Sequence, residues 1–345
     1  MSWYNTKGPY SDYVLFSKVR YIRNIAKQPF YPLSDTKRNS EAMSRLDTLL
    51  SKNGFRCERP SVGVTPALLA LAEKQLVERD FVWSDKPRAL YLNEPCNLIV
   101  AVGGDNLVSI SSVVSGAAIG EAKNMASGAE ELIDRDITFA YLEGVGYLSP
   151  RYADCGSGLF LSSALYLPSI RRSDAAVSLF ASLSSIGMSL SPMFCGKDES
   201  DLYILSYCPH PLCNEESAVK HFGDTVISII EEEKRRLGMI LKNSDKTIFE
   251  SARRALGILT YCTSLTQSEM MRLLSDIRLC LCSFEGATDA LPSIQTLNYL
   301  SAEGLDASVT ASSKEKCRSL ADADRARAIL ASSYIEHTNE VKNVK

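Results

Sequence analysis

Three cations crowd one short stretch, Gly8 to Asn24 (GPYSDYVLFSKVRYIRN): Lys18, Arg20 and Arg23. In an extended segment residues two apart share a face, so Lys18 and Arg20 point together while Tyr13, Leu15 and Val19 lie opposite. Two parallel cations have the chemistry to clamp a phosphate. The same spacing also suits a solvated edge strand, because charge runs are commonly wet surface. A second phosphate-cradling candidate, Gly103-Gly104-Asp105, lacks both the Gly-Lys-Ser/Thr of a P-loop and the Gly-x-Gly-x-x-Gly of a dinucleotide fold, and reads as a tight turn. Cys208-Pro-His210-Pro-Leu-Cys213 offers soft ligands within six residues. A closed tetrahedral site would need a second ligand pair, and neither His221 nor Cys195 has recognisable zinc spacing, so no metal site is expected.

The chain has 345 residues, 45% of them hydrophobic, and a formal net charge of −3. That balance describes a globular protein with no general attraction to nucleic acid or anionic lipid. The start, MSWYNTKGPY, has no basic region followed by an apolar core, which points to a cytoplasmic protein. The longest apolar stretch, Asn97 to Gly120, is interrupted by Asp105, Asn106, serines and glycines and makes a poor membrane span. Ten cysteines without framework spacing read as free thiols.

The elements that must position the cations follow from periodicity. Helices are expected over Ser40 to Asn53 and Thr65 to Arg79, with Pro66 in a first turn, and strands over Ala89 to Asn93 and Asn97 to Val102. Asp105 is expected to cap a helix running from about Asn106. Ile137 to Leu142 and Gly158 to Tyr166, read as strands or buried segments, flank a Gly- and Pro-rich loop of the ligand-facing kind. A small-residue helix over Ser173 to Leu190 precedes a strand over Asp201 to Ser206, and a long helix spans Glu215 to Leu241. The run Glu231 to Arg236 (EEEKRR) is expected to be a solvated face. The pattern breaks around Lys242 to Asp245, and four further helices read as a small bundle, the second with capping-box spacing at Thr266 and Glu269. This divides the chain into 1–243 and 244–345.

The words SDYVLFSKVRYIRN resemble the opening Ser-Asp-x-Val-Leu-x-Ser-x-x-Arg-x-x-Arg-Asn of the bacterial protein-arginine kinases of the McsB type, relatives of arginine and creatine kinases. Asn93-Glu94, GYLSPRYADCGSGL at Gly146 to Leu159, and the tail around RRALGILTYCTSLTQSEMMRLLSDIRL follow in the same order. The resemblance implies an α+β fold with a mostly antiparallel sheet flanked by helices, followed by a C-terminal helical bundle that dimerises. It also implies transfer of a phosphoryl group from Mg-ATP to protein arginine, catalysed by positioning and by cations that neutralise the phosphate.

Carried over by motif, the phosphate-gripping pair of that family falls on Lys18 and Arg20, so one arginine has become lysine. Asn-Glu-Glu-Asp-His-x-Arg falls on Asn93 to Ile99, which leaves Glu94 as a remnant carboxylate and puts Pro95 at a glutamate and Ile99 at an arginine. Arg151 stands at the cysteine, Phe160 and Ser191 at two further arginines, and Gly196 at the last glutamate, for which Asp198 or Glu199 could stand in. In the tail, the phosphoarginine receptor Arg-Asp-x-x-Arg-Ala meets Ala321 to Ala326 and keeps Asp322 and Arg325, a pair that also suits a plain surface ion pair. Removing one preorganised donor commonly costs about 10² to 10³ in rate. The expectation is therefore a pseudokinase acting as a binding or regulatory scaffold in protein quality control, its family partners being a zinc-binding kinase activator and the Clp machinery. A slow but active kinase using Lys18, Arg20 and Glu94, a motif register displaced by a few residues, and a ligand-binding protein using the old cleft are the alternatives.

Overall fold

Val14–Arg23 is rich in β-branched and aromatic residues, and the strand it forms (β1) is buried on both sides. In the computed structural model, which describes residues 3–33, 36–172, 175–194, 200–211, 213–241, 245–284, 291–313 and 319–343, β1 lies inside an eight-stranded sheet. In chain order the first part adds α1 (Thr36–Lys52), β2 (Arg56–Glu58), α2 (Pro66–Glu73), α3 (Arg79–Trp83), β3 (Ala89–Leu92), β4 (Leu98–Val102), β5 (Val108–Ser115) and α4 (Ile119–Asp134). Then come β6 (Tyr141–Leu142), β7 (Gly146–Tyr147), β8 (Leu159–Tyr166), α5 (Pro168–Arg171), α6 (Ala175–Ser185), β9 (Met188–Pro192), β10 (Leu202–Tyr207) and α7 (Glu215–Leu241). The tail is helical: α8 (Asp245–Tyr261), α9 (Gln267–Ser283), α10 (Ile294–Glu303), α11 (Asp306–Ser312) and α12 (Leu320–Asn343).

The strand order is β2-β3-β4-β5-β1-β8-β10-β9, and every pairing is antiparallel. Helix α4 lies across β1 and β5, with α7 beside it against β8. The opposite face of β1, carrying Lys18 and Arg20, is met by the segment that runs from α2 into α3. No helix among the described residues is long and apolar enough to cross a membrane.

Four expectations are corrected. Residues 108–115 form β5, not a helix: Val108, Ile110, Val113 and Val114 fit a strand between β4 and β1, and the Asp105 N–H donates to the Asp80 carboxylate in the turn before it. The helix expected to reach Leu190 stops at Ser185, because Gly187 takes φ +76° and turns the chain into the edge strand β9. Residues 137–142 keep only the two-residue strand β6.

The fourth concerns Glu233, which is fully buried within the supposedly wet EEEKRR run. Its carboxylate accepts the backbone N–H groups of Ser169 (2.7 Å) and Ile170 (3.0 Å), and burial raises its carboxyl despite those bonds. Glu231, Glu232, Lys234 and Arg235 do face solvent and pair along the helix.

The tail packs onto the sheet part. Tyr166 at the end of β8 donates to the Ser275 carbonyl of α9 at 2.8 Å, and the Ser275 hydroxyl donates to Asp201 at 2.6 Å. Glu303 of α10 accepts from Tyr4 and Lys74. Thr266 caps α9 through the Glu269 N–H, as its spacing predicts, and α11 is an additional helix.

Candidate functional site

The antiparallel register decides which side chains share a face. Ile99 pairs with Ser111, Ser111 with Arg20, and Arg20 with Phe160, making one row across β4, β5, β1 and β8. The next row on that face runs Val113, Lys18, Ser162, Ser206 and Ser189. Ser191 follows on β9, opposite Ile204. Five of the positions singled out by sequence, Lys18, Arg20, Ile99, Phe160 and Ser191, therefore converge on one side of the sheet. Around the two cations that side is neutral and rich in serine.

Arg23 takes the other face, as alternation dictates between odd and even positions from Lys18. It is buried, donates to Glu130 of α4 at 3.0 Å, and stacks 3.5 Å over the Tyr147 ring. It holds structure rather than facing the cleft.

The anion held by Lys18 and Arg20 is supplied by the chain itself. Lys18 Nζ lies 2.7 Å from Glu78 Oε1, and Arg20 Nε lies 3.5 Å from the same oxygen. Arg20 also sits 4.2 Å over the Phe160 ring, the position expected to carry a further cation. Burial pushes the Lys18 ammonium down, against the pull of Glu78. Burial alone would raise Glu78, but Lys18 and Arg20 outweigh it and hold the carboxyl down to about 2.

A carboxyl lowered from 4.5 to about 2 contributes stability that is present above pH 4.5 and lost as the pH falls toward 2. Urea unfolding of the wild type should therefore weaken across that window by up to about 3 kcal/mol more than that of Glu78→Gln. Parallel acid limbs for the two proteins would contradict the pairing.

Glu94 and Pro95 are placed elsewhere. Both are exposed in the turn between β3 and β4, whose closure rests on the Asn93 side chain accepting from the Asn97 and Leu98 N–H groups. The pocket beside Arg20 is lined instead by Glu78, Asp80, Phe81, Gly104 and Asn106, and Glu94 has no part in it. Glu94 sits at the opposite end of β4 from Gly104, about 14 Å away along the strand.

The turn that lines the pocket beside Arg20 offers a second register for that motif, displaced to Val102–Val108. There the family's aspartate falls on Asp105, its two glutamates on Gly103 and Gly104, and its arginine on Val108, which pairs with Arg23 on the opposite face. This turn also joins the other loop of interest. Asn24 Nδ2 donates to Asn106 Oδ1 and to the Leu148 carbonyl, and the Ser149 hydroxyl donates to Asn106 Oδ1. A retained Asp three residues after a strand was the signal in the sequence.

Arg151 lies in that loop, exposed, its guanidinium 2.6 Å from Asp154. Gly196, Asp198 and Glu199 lie outside the described residues. In the tail, the Asp322 carboxylate accepts from the Ser319 N–H and hydroxyl at the start of α12, and Arg325 is exposed. The buried cation of that helix is Arg327, which donates to the carbonyls of Leu265 and Gly304 and to Asp306 and Asp324.

The family model for the ATP:guanido phosphotransferase C-terminal catalytic domain matches residues 22–236, more than half of the chain. The chain belongs to the ATP:guanido phosphotransferase family. Its sequence relatives are bacterial protein-arginine kinases, among them those of Symbiobacterium thermophilum (27% identical over 286 residues, 80% of this chain and 81% of the relative) and Halothermothrix orenii (22% over 282 residues, 80% and 81%). Solved structures that share the fold include the following two. Lombricine kinase superposes with a TM-score of 0.54 at 16% identity, over 66% of this chain and 68% of its own. The duplicated taurocyamine kinase of Schistosoma mansoni, with bound transition-state analogue components, gives 0.56 at 17%, over 65% and 33%.

Proposed function

We propose that this chain is a divergent protein-arginine kinase homologue in which phosphoryl transfer is impaired, and that it acts as a binding or regulatory scaffold. One observation carries the reading. On the sheet face where the family's arginines fall, Ile99, Phe160 and Ser191 are neutral, and Lys18 and Arg20 are already bound to Glu78. In the displaced register the missing groups are Gly103, Gly104 and Val108, so the deficit in glutamates and arginine persists in either alignment.

The family relationship implies Mg-ATP. With Glu78 in place the residues present do not fit it, because the two cations share Glu78 and the same pocket holds Asp80, so the triphosphate would meet a site with no net positive charge. No step is therefore derived through the nucleotide.

The remaining parts of the proposal rest on resemblance. We assign the chain to the cytoplasm, divide it at 243/244, and give the helical tail the role of a homodimer interface with a receptor-like pair at Asp322 and Arg325. The partner class is a zinc-binding kinase activator or the Clp machinery.

The test incubates the purified chain with Mg-ATP and a basic protein, alongside the Symbiobacterium thermophilum relative, and reads phosphoarginine by mass spectrometry. Loss of even one preorganised donor predicts turnover about 10² to 10³ below the relative, and several losses predict less. Turnover in the ordinary kinase range of about 1 to 100 per second would sink the impaired reading.

A further inference from the structure

We propose that Glu78 is a built-in occupant of the anion subsite formed by Lys18 and Arg20, an autoinhibitory carboxylate that phosphoryl ligands must displace. The inference rests on the cleft assignment above and goes beyond it. It says why the residues present do not fit a phosphate, and names the group that stands in the way.

Glu78 comes from 60 residues away in the chain, and one of its oxygens, Oε1, meets both cations. It occupies the residue before α3 in extended conformation, yet its side chain makes no capping bond to that helix. A short side chain such as aspartate at that position ordinarily satisfies the first-turn N–H groups, and glutamate is one methylene longer. Here it turns to the sheet instead. Lys18 explains the preference: its side chain is only 5% exposed, and a buried ammonium requires an anion.

Two residues on, Asp80 does the same to the neighbouring turn. Its carboxylate accepts the Asp105 N–H at 3.1 Å and approaches Gly104 so closely that a Cβ there would lie 2.9 Å from Asp80 Oδ2. One short segment thus delivers two carboxylates, each to a donor that faces the cleft. Its position is fixed from behind by Arg88, buried, which donates to the Phe81 and Val82 carbonyls at 2.7 and 2.6 Å. The segment is a plug, seated by its own charges.

The ligand class that would replace Glu78 is a phosphoryl anion, and two sources are separable: free polyphosphate and the nucleotide. Calorimetry with inorganic tripolyphosphate, and separately with Mg-ATP, is run on the wild type, Glu78→Gln and the double variant Lys18→Met/Glu78→Gln. Glu78→Gln should bind tripolyphosphate at least about tenfold tighter than the wild type, and the double variant should lose that gain. A nucleotide subsite shows the same gain with Mg-ATP, and a simple anion subsite shows it with tripolyphosphate alone.

Because Glu78→Gln leaves a buried cation unpaired, its melting midpoint is measured with and without tripolyphosphate. A rise confined to Glu78→Gln supports the occupant. Should that variant fail to fold, Glu78→Asp, which withdraws the carboxylate by one methylene, carries the same comparison. Equal tripolyphosphate affinity in wild type and variant, or a gain that survives loss of Lys18, overturns it. Phosphoarginine is read in the same samples: tighter anion binding together with phosphoarginine keeps the occupant and removes the impaired reading. Wild-type protein that binds both tripolyphosphate and Mg-ATP as tightly as Glu78→Gln, with no phosphoarginine, removes the occupant alone.

Discussion

Arg23→Met should lower the unfolding free energy by about 3 to 5 kcal/mol, the range for breaking a buried charge from its partner. The side chain is 1% exposed and donates to Glu130, to the Ile22 carbonyl at 2.7 Å and to the Ser157 carbonyl at 2.8 Å. It clamps the loop before β8 so tightly that a Cβ on Gly158, which has φ +60°, would lie 2.7 Å from its Nη1. The variant should therefore also expose residues 146–158 to limited proteolysis. Arg23→Lys keeps the charge without the planar fork and should recover only part of the loss. Urea denaturation measures both, and a cost below about 1 kcal/mol for the methionine variant would show that the clamp is dispensable.

The second large effect is expected in the tail. Arg327 is fully buried and joins four partners from three segments: the Leu265 and Gly304 carbonyls, Asp306 and Asp324. Arg327→Met removes every one of these bonds at once and leaves two carbonyls and two partly buried carboxylates without it, for about 3 to 5 kcal/mol. Arg325→Met, two residues earlier on the exposed side of α12, should stay within about 0.5 kcal/mol of the wild type. Thermal unfolding of the pair checks the contrast, and equal midpoints would refute the assignment of the structural role to Arg327.

These two arginines mark what the sequence disclosed. Alternation from Lys18 correctly separated the side of Lys18 and Arg20 from that of Val19, because period two is a local property of any strand. The same rule sends Arg23 to the opposite side, a step that its place in a single run of cations obscures. Spacing could not distinguish Arg325 from Arg327, since burial on α12 depends on where α8, α10 and α11 pack.

Longer separations were less legible. Nothing local to Glu78 announces a partner 60 residues earlier, and a carboxylate just before a short helix reads as an ordinary cap. Glu233 reads as wet because its neighbours are, although position 233 continues the apolar stripe of Phe222, Val226, Ile229 and Ile230. Asn93-Glu94 matches the motif by residue type, whereas the turn that lines the pocket beside Arg20 carries Gly103, Gly104 and Asp105 and offers no glutamate to match. Gly-Gly before an apolar run misled in turn: the run was short, serine-dotted and β-branched, which suits β5.

The bonds of Tyr166, Ser275 and Asp201 have a mechanical consequence. Each hydroxyl spends its single proton once, so the order runs one way, from the end of β8 through α9 to the residue that opens β10. Sliding the tail along the sheet by one residue would strand these groups away from water, at about 1 to 3 kcal/mol apiece. A pull on α9 is consequently borne by β8 and β10, the strands that carry Phe160 and Ser206, and the joint behaves as a latch that holds or releases rather than as a bearing that glides.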